Sequence, residues 1–190
     1  MQLYTDYLMV ISPPATIKKE ISRYKQASVN MIGHFGGMHS TAHITITYQT
    51  YQTRCKPYLI QPAVLMMEKR LSSVPPVELH INGFDFFDHG KTAKTIYAVV
   101  ERNVKTDNWF KLLKMEMGIK VKNFVPHITI VRNVPLASFN KLWSNFENRE
   151  FKQTFIASSL TILHRETFAE YSNWKEYKEL SFANKLLEVF

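Results

Sequence analysis

Two short segments of the chain each place a histidine and a threonine two residues apart within an apolar, β-branched run. They read His43-Ile-Thr-Ile46 and His127-Ile-Thr-Ile130. Because side chains alternate between the faces of a strand, the histidine and threonine of each segment share one face and the isoleucines point to the other. An imidazole can move a proton near neutral pH, and a hydroxyl can donate a hydrogen bond. The candidate catalytic residues are His43, Thr45, His127 and Thr129.

The repetition of this pattern matters more than either copy. One such histidine, taken alone, is most simply interpreted as a half-buried strand residue with a structural role. Two strands of this kind facing one cleft would present a pair of acid–base groups, which is what proton transfer to and from a reacting ester requires. The pair therefore favours catalysis over structure.

Four further residues are candidates for substrate binding. His34 and His39 lie in a glycine-containing loop, residues 33–39, that leads into the first motif. Tyr48 follows that motif and could stack on a base. Arg132 follows the second motif, but strict alternation from His127 directs it to the opposite face unless the strand bulges or ends there. The three glycines of the loop do not have the spacing of a dinucleotide-binding turn.

Composition restricts the class of protein. The chain has 190 residues, 45% of them hydrophobic, which fits one globular domain spanning residues 1–190. Lys and Arg outnumber Asp and Glu by 24 to 16, giving a net charge of +8 that favours an anionic partner such as a nucleotide or RNA. The single cysteine, Cys55, excludes an internal disulfide and cannot form a thiolate zinc site alone.

Residues 1–11 lack the basic start and long apolar run of a signal peptide, and no stretch reaches the 18 or so apolar residues of a membrane helix. We therefore expect a cytoplasmic protein without a membrane partner. No feature indicates a protein partner, so a monomer is expected.

Hydrophobic periodicity and turn residues predict alternating strands and helices. The predicted strands are residues 3–12, 42–48, 77–87, 92–102, 124–132, 151–164 and 174–181. The predicted helices are residues 15–31, 60–74, 109–117 and 136–146. A polar turn at residues 88–91 predicts a hairpin, and the last two strands are expected to pair antiparallel. The order strand, helix, His-Thr strand, helix occurs twice. This predicts an α+β fold that is two-lobed and pseudo-duplicated, with mostly antiparallel sheets flanked by helices and a central cleft.

At the two motifs the chain resembles the 2H phosphoesterase superfamily, which includes bacterial 2′-5′ RNA ligases and 2′,3′-cyclic nucleotide phosphodiesterases. A pair of His-x-Thr-x motifs defines that superfamily. The wider second motif, Phe124-x-Pro126-His127-x-Thr129-x-x-Arg132, also resembles the family form. The resemblance implies motif strands lying side by side at the floor of a positively charged cleft. It also implies chemistry at a phosphodiester without metal or cofactor.

Two other functions remain open from the residues. The four motif residues could hold a nucleotide or an RNA end without turnover. Alternatively, the histidines could ligate a metal. A catalytic metal site usually has three protein ligands, however, and neither motif supplies a carboxylate.

Overall fold

The computed structural model describes residues 5–47, 57–120, 123–166 and 173–183. Within these ranges the chain forms eight strands and four helices. The strands are β1 (Thr5–Ile11), β2 (Ile44–Thr45), β3 (Val77–His89), β4 (Ala93–Val100), β5 (His127–Pro135), β6 (Lys152–Ala157), β7 (Ser159–Glu166) and β8 (Lys175–Ser181). The helices are α1 (Ala15–Ile32), α2 (Pro57–Leu71), α3 (Val104–Glu116) and α4 (Leu136–Trp143).

The strands form one sheet in the order β6-β3-β4-β5-β2-β1-β7-β8, and every neighbouring pair is antiparallel. The sheet has two four-stranded halves that meet where β2 pairs with β5. In each half the strand at this junction carries a His-Thr motif and pairs with the strand that precedes it by one helix, giving β1-α1-β2 and β4-α3-β5. The predicted α+β, two-lobed and pseudo-duplicated architecture is confirmed.

The core explains which face of each motif strand is left for chemistry. Four isoleucines of the motifs are fully buried and belong to one apolar cluster with residues of α1: Ile44, Ile46, Ile128 and Ile130. Helices α1 and α4 pack against β5, and α2 packs against α3 and β8. Because the isoleucines point into this core, the histidines and threonines emerge on the other face of the sheet.

The prediction of one strand over residues 151–164 was wrong. The segment forms two strands, β6 and β7, which lie in opposite halves of the sheet with Ser158 between them. The buried positions change from odd to even across the break, from Phe155 and Ala157 to Leu160 and Ile162. This shift in alternation marks the crossover, and the prediction of a single strand overlooked it. The pairing of β7 with β8 is antiparallel, as predicted.

Several helix boundaries also differ from the predicted ones. Helix α3 begins at Val104 because Asn103 forms a capping box with Thr106, each side chain bonding the other residue's backbone N–H. Helix α2 covers Pro57–Leu71, and α4 ends at Trp143. The first motif strand, predicted over residues 42–48, is much shorter: among the described residues, β2 covers only Ile44–Thr45. Tyr48 lies outside the described part of the chain.

Candidate active site

The two motifs meet at the junction of the two halves of the sheet. Ile44 of β2 pairs with Ile128 of β5 in antiparallel register. One residue to either side, this register sets His43 opposite Thr129 and Thr45 opposite His127. The two histidines are then diagonal neighbours on one face, and such positions have Cα atoms about 7–8 Å apart. All four side chains are half-buried, so the junction brings together the four predicted catalytic residues.

Both imidazoles are held in the same way. Nδ1 of His43 lies 2.7 Å from the Thr41 carbonyl oxygen, and Nδ1 of His127 lies 2.9 Å from the Val125 carbonyl oxygen. Because a carbonyl only accepts, each Nδ1 carries the hydrogen and donates it. In the neutral ring, Nε2 is then the atom that takes up a proton. The matching contacts fix both rings in the tautomer that a general base requires.

The surroundings of both rings disfavour the charged imidazolium. Burial lowers the pKa of His43, and Lys25, His127 and Arg132 lower it further against the opposing effect of the Thr41 carbonyl. Burial also lowers the pKa of His127, with Arg132 adding to the effect and the Val125 carbonyl opposing it. Both rings are therefore neutral at pH 7 in the free protein, and both sense the charge of Arg132.

These pKa shifts predict the pH dependence of the free protein. The two ring pKa values, measured by Cε1–H NMR titration, should both lie below the ordinary 6.5. The unfolded chain binds more protons than the folded chain between those values and pH 6.5, so the free energy of unfolding should decrease as pH falls through that window. Because the rings interact, their titration steps belong to the pair. A ring that titrates above 6.5 without ligand would contradict this expectation.

A bulge in β5 returns Arg132 to the face of the catalytic candidates. Tyr97 of β4 pairs with Thr129 and its neighbour Ile96 pairs with Val131, so β5 has an extra residue, Ile130, between these two pairs. A second register shift follows it, between Val131 and Val134. Ile130 and Val131 are both fully buried. The alternation therefore shifts by one, and Arg132 lies on the same side as His127 and Thr129. Strict alternation would have placed Arg132 on the opposite face, and a bulge was the exception that the sequence allowed.

Backbone contacts hold Arg132 on both sides. On one side, Asn133 has a positive φ of 51° and donates its N–H to Oγ1 of the buried Thr95 at 2.9 Å. On the other side, Gly36 forms an isolated antiparallel bridge with Arg132. The arginine itself is exposed at the protein surface. A cation at a fixed backbone position beside two imidazoles suits an anionic substrate.

Sequence reasoning missed an aromatic pair beside His127. The rings of Phe87 and Tyr97 stack with centroids 4.1 Å apart, and both meet the imidazole edge-on at 4.9 and 5.2 Å. The Tyr97 hydroxyl donates to Asp85 at 3.2 Å, and burial together with Asp85 raises the pKa of Tyr97 to about 12. The aromatic pair thus packs the His127 ring in place. The pairing of Tyr97 with Thr129, which sets this contact, has no local sequence signal.

The remaining candidates divide into two groups. His34 and His39 are exposed on the loop that leads from α1 into β2. Gly36 of that loop pairs with Arg132, so the loop borders the site. Tyr48 and Cys55 lie outside the described residues.

The donor set is poor for a metal. Within residues 5–47, 57–120, 123–166 and 173–183, no three His, Cys, Asp or Glu side chains are grouped so as to hold an ion. At the junction, each Nδ1 already faces a carbonyl. Two Nε2 atoms remain, fewer than the three protein ligands usual for catalytic zinc.

Across the same described ranges, none of the helices combines the length and apolar character that spanning a bilayer requires.

Solved structures share this architecture. The chain superposes on Escherichia coli LigT complexed with 3′-AMP with a TM-score of 0.66 and 12% identity, covering 94% of this chain and 98% of that one. The protein TT0787 of Thermus thermophilus gives a TM-score of 0.62 at 15% identity, with coverages of 95% and 98%. A further structure, described as a phosphoesterase, gives 0.64 at 11% identity, with coverages of 94% and 98%. Other LigT structures hold phosphate, NADP+ or ATP. The fold is therefore that of the LigT-like proteins.

Family membership follows from a match at the level of sequence. The family model of the 2′-5′ RNA ligase superfamily matches residues 13–167, which include both His-Thr motifs. No curated protein matches the chain. The protein belongs to the 2′-5′ RNA ligase superfamily, within the 2H phosphoesterases, as the motifs predicted. It is accordingly a member of an enzyme superfamily.

Proposed function

We propose that the protein is a metal-independent phosphoesterase that acts on a 2′,3′-cyclic phosphate or a 2′-5′ phosphodiester of a nucleotide or RNA end. The observation that carries this proposal is the Ile44–Ile128 register, which sets two imidazoles and two hydroxyls on one face of the sheet. The net charge of +8 and the anionic ligands of LigT support a nucleotide as substrate.

The chemistry divides between the two histidines. For a cyclic phosphate, Nε2 of one neutral ring accepts a proton from water as the water oxygen attacks phosphorus. The bond from phosphorus to one ribose oxygen then breaks, and the other ring, protonated at Nε2, donates its proton to that oxygen. One ring ends protonated and the other neutral, and exchange with solvent restores the starting pair. The matching Nδ1 contacts suit either ring to either task.

The threonines and Arg132 act on the phosphate itself. Negative charge grows on the nonbridging oxygens in the transition state, and donors aimed at them lower the barrier. Thr45 and Thr129 supply a hydroxyl from each half of the sheet. Arg132 adds a cation whose charge both histidines sense. An anion bound there would in turn stabilise the imidazolium that acts as the acid.

A non-catalytic module for RNA ends is the alternative. The two rings held in the same tautomer argue against it, because binding alone does not require a proton acceptor on each motif. The two functions differ in whether product accumulates over time.

A substrate panel with chelator present tests the proposal. We expect 2′,3′-cyclic nucleotides or short 2′-5′-linked oligonucleotides to be cleaved, with the same rate before and after exhaustive EDTA treatment, because the histidines perform both proton transfers. Product is followed by chromatography, and 3′-5′-linked oligonucleotides of equal length serve as controls. Binding without turnover across the panel would favour the alternative. A rate abolished by EDTA and restored by a divalent ion would refute the metal-independent mechanism.

A further inference from the structure

A lysine is buried behind the loop that borders the site. Lys25 is only 4% exposed, although it carries an ammonium group that usually remains in water. It shares a face of α1 with the buried Ile17 and Ile21, four residues apart in turn. Burial lowers the pKa of Lys25 to about 8. A buried ammonium lowers the free energy of unfolding unless each of its N–H groups has a hydrogen-bond acceptor.

The Lys25 ammonium has three such acceptors. Among the described residues, the partners of Nζ are all oxygens of one short loop. They are the Gly37 carbonyl at 2.9 Å, the Ser40 carbonyl at 2.7 Å and the Ser40 hydroxyl at 3.0 Å. Ser40 Oγ also donates to the Gly37 carbonyl. Three donors therefore meet three acceptors, and the loop is fixed to α1 without a carboxylate.

The loop that Lys25 fixes lies against Arg132. Gly36 pairs with Arg132 through the backbone. At Gly37, which has a φ of +80°, a Cβ atom would lie 4.0 Å from both Cβ and Cδ of Arg132. The loop therefore pairs with the backbone of the arginine and lies beside its aliphatic stem. The contacts run from the buried ammonium through Gly37 and Ser40 of this loop to the backbone pair that Gly36 forms with Arg132.

We propose that Lys25 is a positioning residue of the phosphate site, which holds the Gly36–Ser40 loop against Arg132 so that the guanidinium stays at the anion between the two motifs. This role rests on the proposed function of the site. Lys25 acts through the loop and does not contact the substrate. Its charge also lies close enough to His43 to lower the pKa of that ring.

The test combines Lys25→Met with Arg132→Ala in a double-mutant cycle, measured by the affinity for inorganic phosphate and by kcat/KM on any cleaved diester. We expect Lys25→Met to weaken both by about tenfold, because small displacements of a positioned group are costly. In the Arg132→Ala background the same change should have an effect of less than about twofold, since the arginine that Lys25 positions is gone. Lys19→Met, which removes an exposed lysine from the same helix, should change neither quantity. The pKa of His43 should rise in Lys25→Met, because a neighbouring cation is lost.

A purely structural role gives different results. An equal loss in both backgrounds, or affinity unchanged in Lys25→Met, would overturn the proposal. If Lys25→Met fails to fold, Ser40→Ala removes one of the three contacts from the exposed loop. It should cause a smaller loss that also disappears without Arg132, and a loss that persists there would overturn the proposal. Phosphate binding with this coupling but no diester cleavage would support the positioning role and refute the proposed function.

Discussion

Replacing His43 or His127 with alanine should reduce kcat by about 10² to 10⁴-fold each, the range expected for losing a general acid or base. Each ring performs one of two proton transfers in a turnover, so the loss of either one leaves water to replace it. The double variant should be little worse than the more impaired single variant, because the two histidines act as a unit in one turnover. Rates are measured on the cyclic nucleotide or 2′-5′ diester that the substrate panel identifies.

A matched control separates catalysis from folding. His80 is a strand histidine that bonds Thr154 of the edge strand β6, so His80→Ala should retain the wild-type rate. Melting temperatures should show that both site variants remain folded, since the motif histidines are half-buried and lie outside the apolar core. A double variant of His43 and His127 with full activity would exclude the mechanism.

Replacing Thr45 or Thr129 with valine should raise the barrier by about 2 to 4 kcal/mol if each hydroxyl donates to a phosphate oxygen. Valine keeps the branched shape and the strand preference, so the packing at the β2–β5 junction is preserved. The histidines remain, and the pH dependence of kcat/KM should keep its form while its height falls. The measurement is a pH–rate profile of each variant.

The control is Thr154→Val, which removes an exposed threonine hydroxyl from β6 and should leave the rate unchanged. The free energy of unfolding should change little in all three valine variants. If Thr45→Val and Thr129→Val both retain wild-type kcat, the hydroxyls are not phosphate donors. The two histidines would then have to act with Arg132 alone.

The shared face of the histidine and the threonine within each motif followed from local rules. Alternation along a strand is enough to place His43 with Thr45, and His127 with Thr129, because each relation spans two residues. The repeated order of elements likewise predicted the two halves of the sheet. These features depend on residues that are close together in the sequence, so one sequence is enough to predict them.

The rest depends on contacts between distant segments. The β5 bulge that turns Arg132 toward the site arises from its register with β4, and nothing in residues 127–135 alone reveals it. Lys25 is the exception, because it continues the spacing of Ile17 and Ile21 and could have been identified as a buried cation. Its partners on the loop were not predictable, since they require α1 and residues 37–40 to be packed together.

The central claim is that one phosphate lies between two imidazoles from opposite halves of the sheet. Its most direct test is an NMR titration of both rings with and without saturating inorganic phosphate. We predict that both pKa values begin below 6.5 and that both rise when the anion binds, because it stabilises each imidazolium. A rise at only one ring, or at neither while phosphate is bound, would contradict the claim.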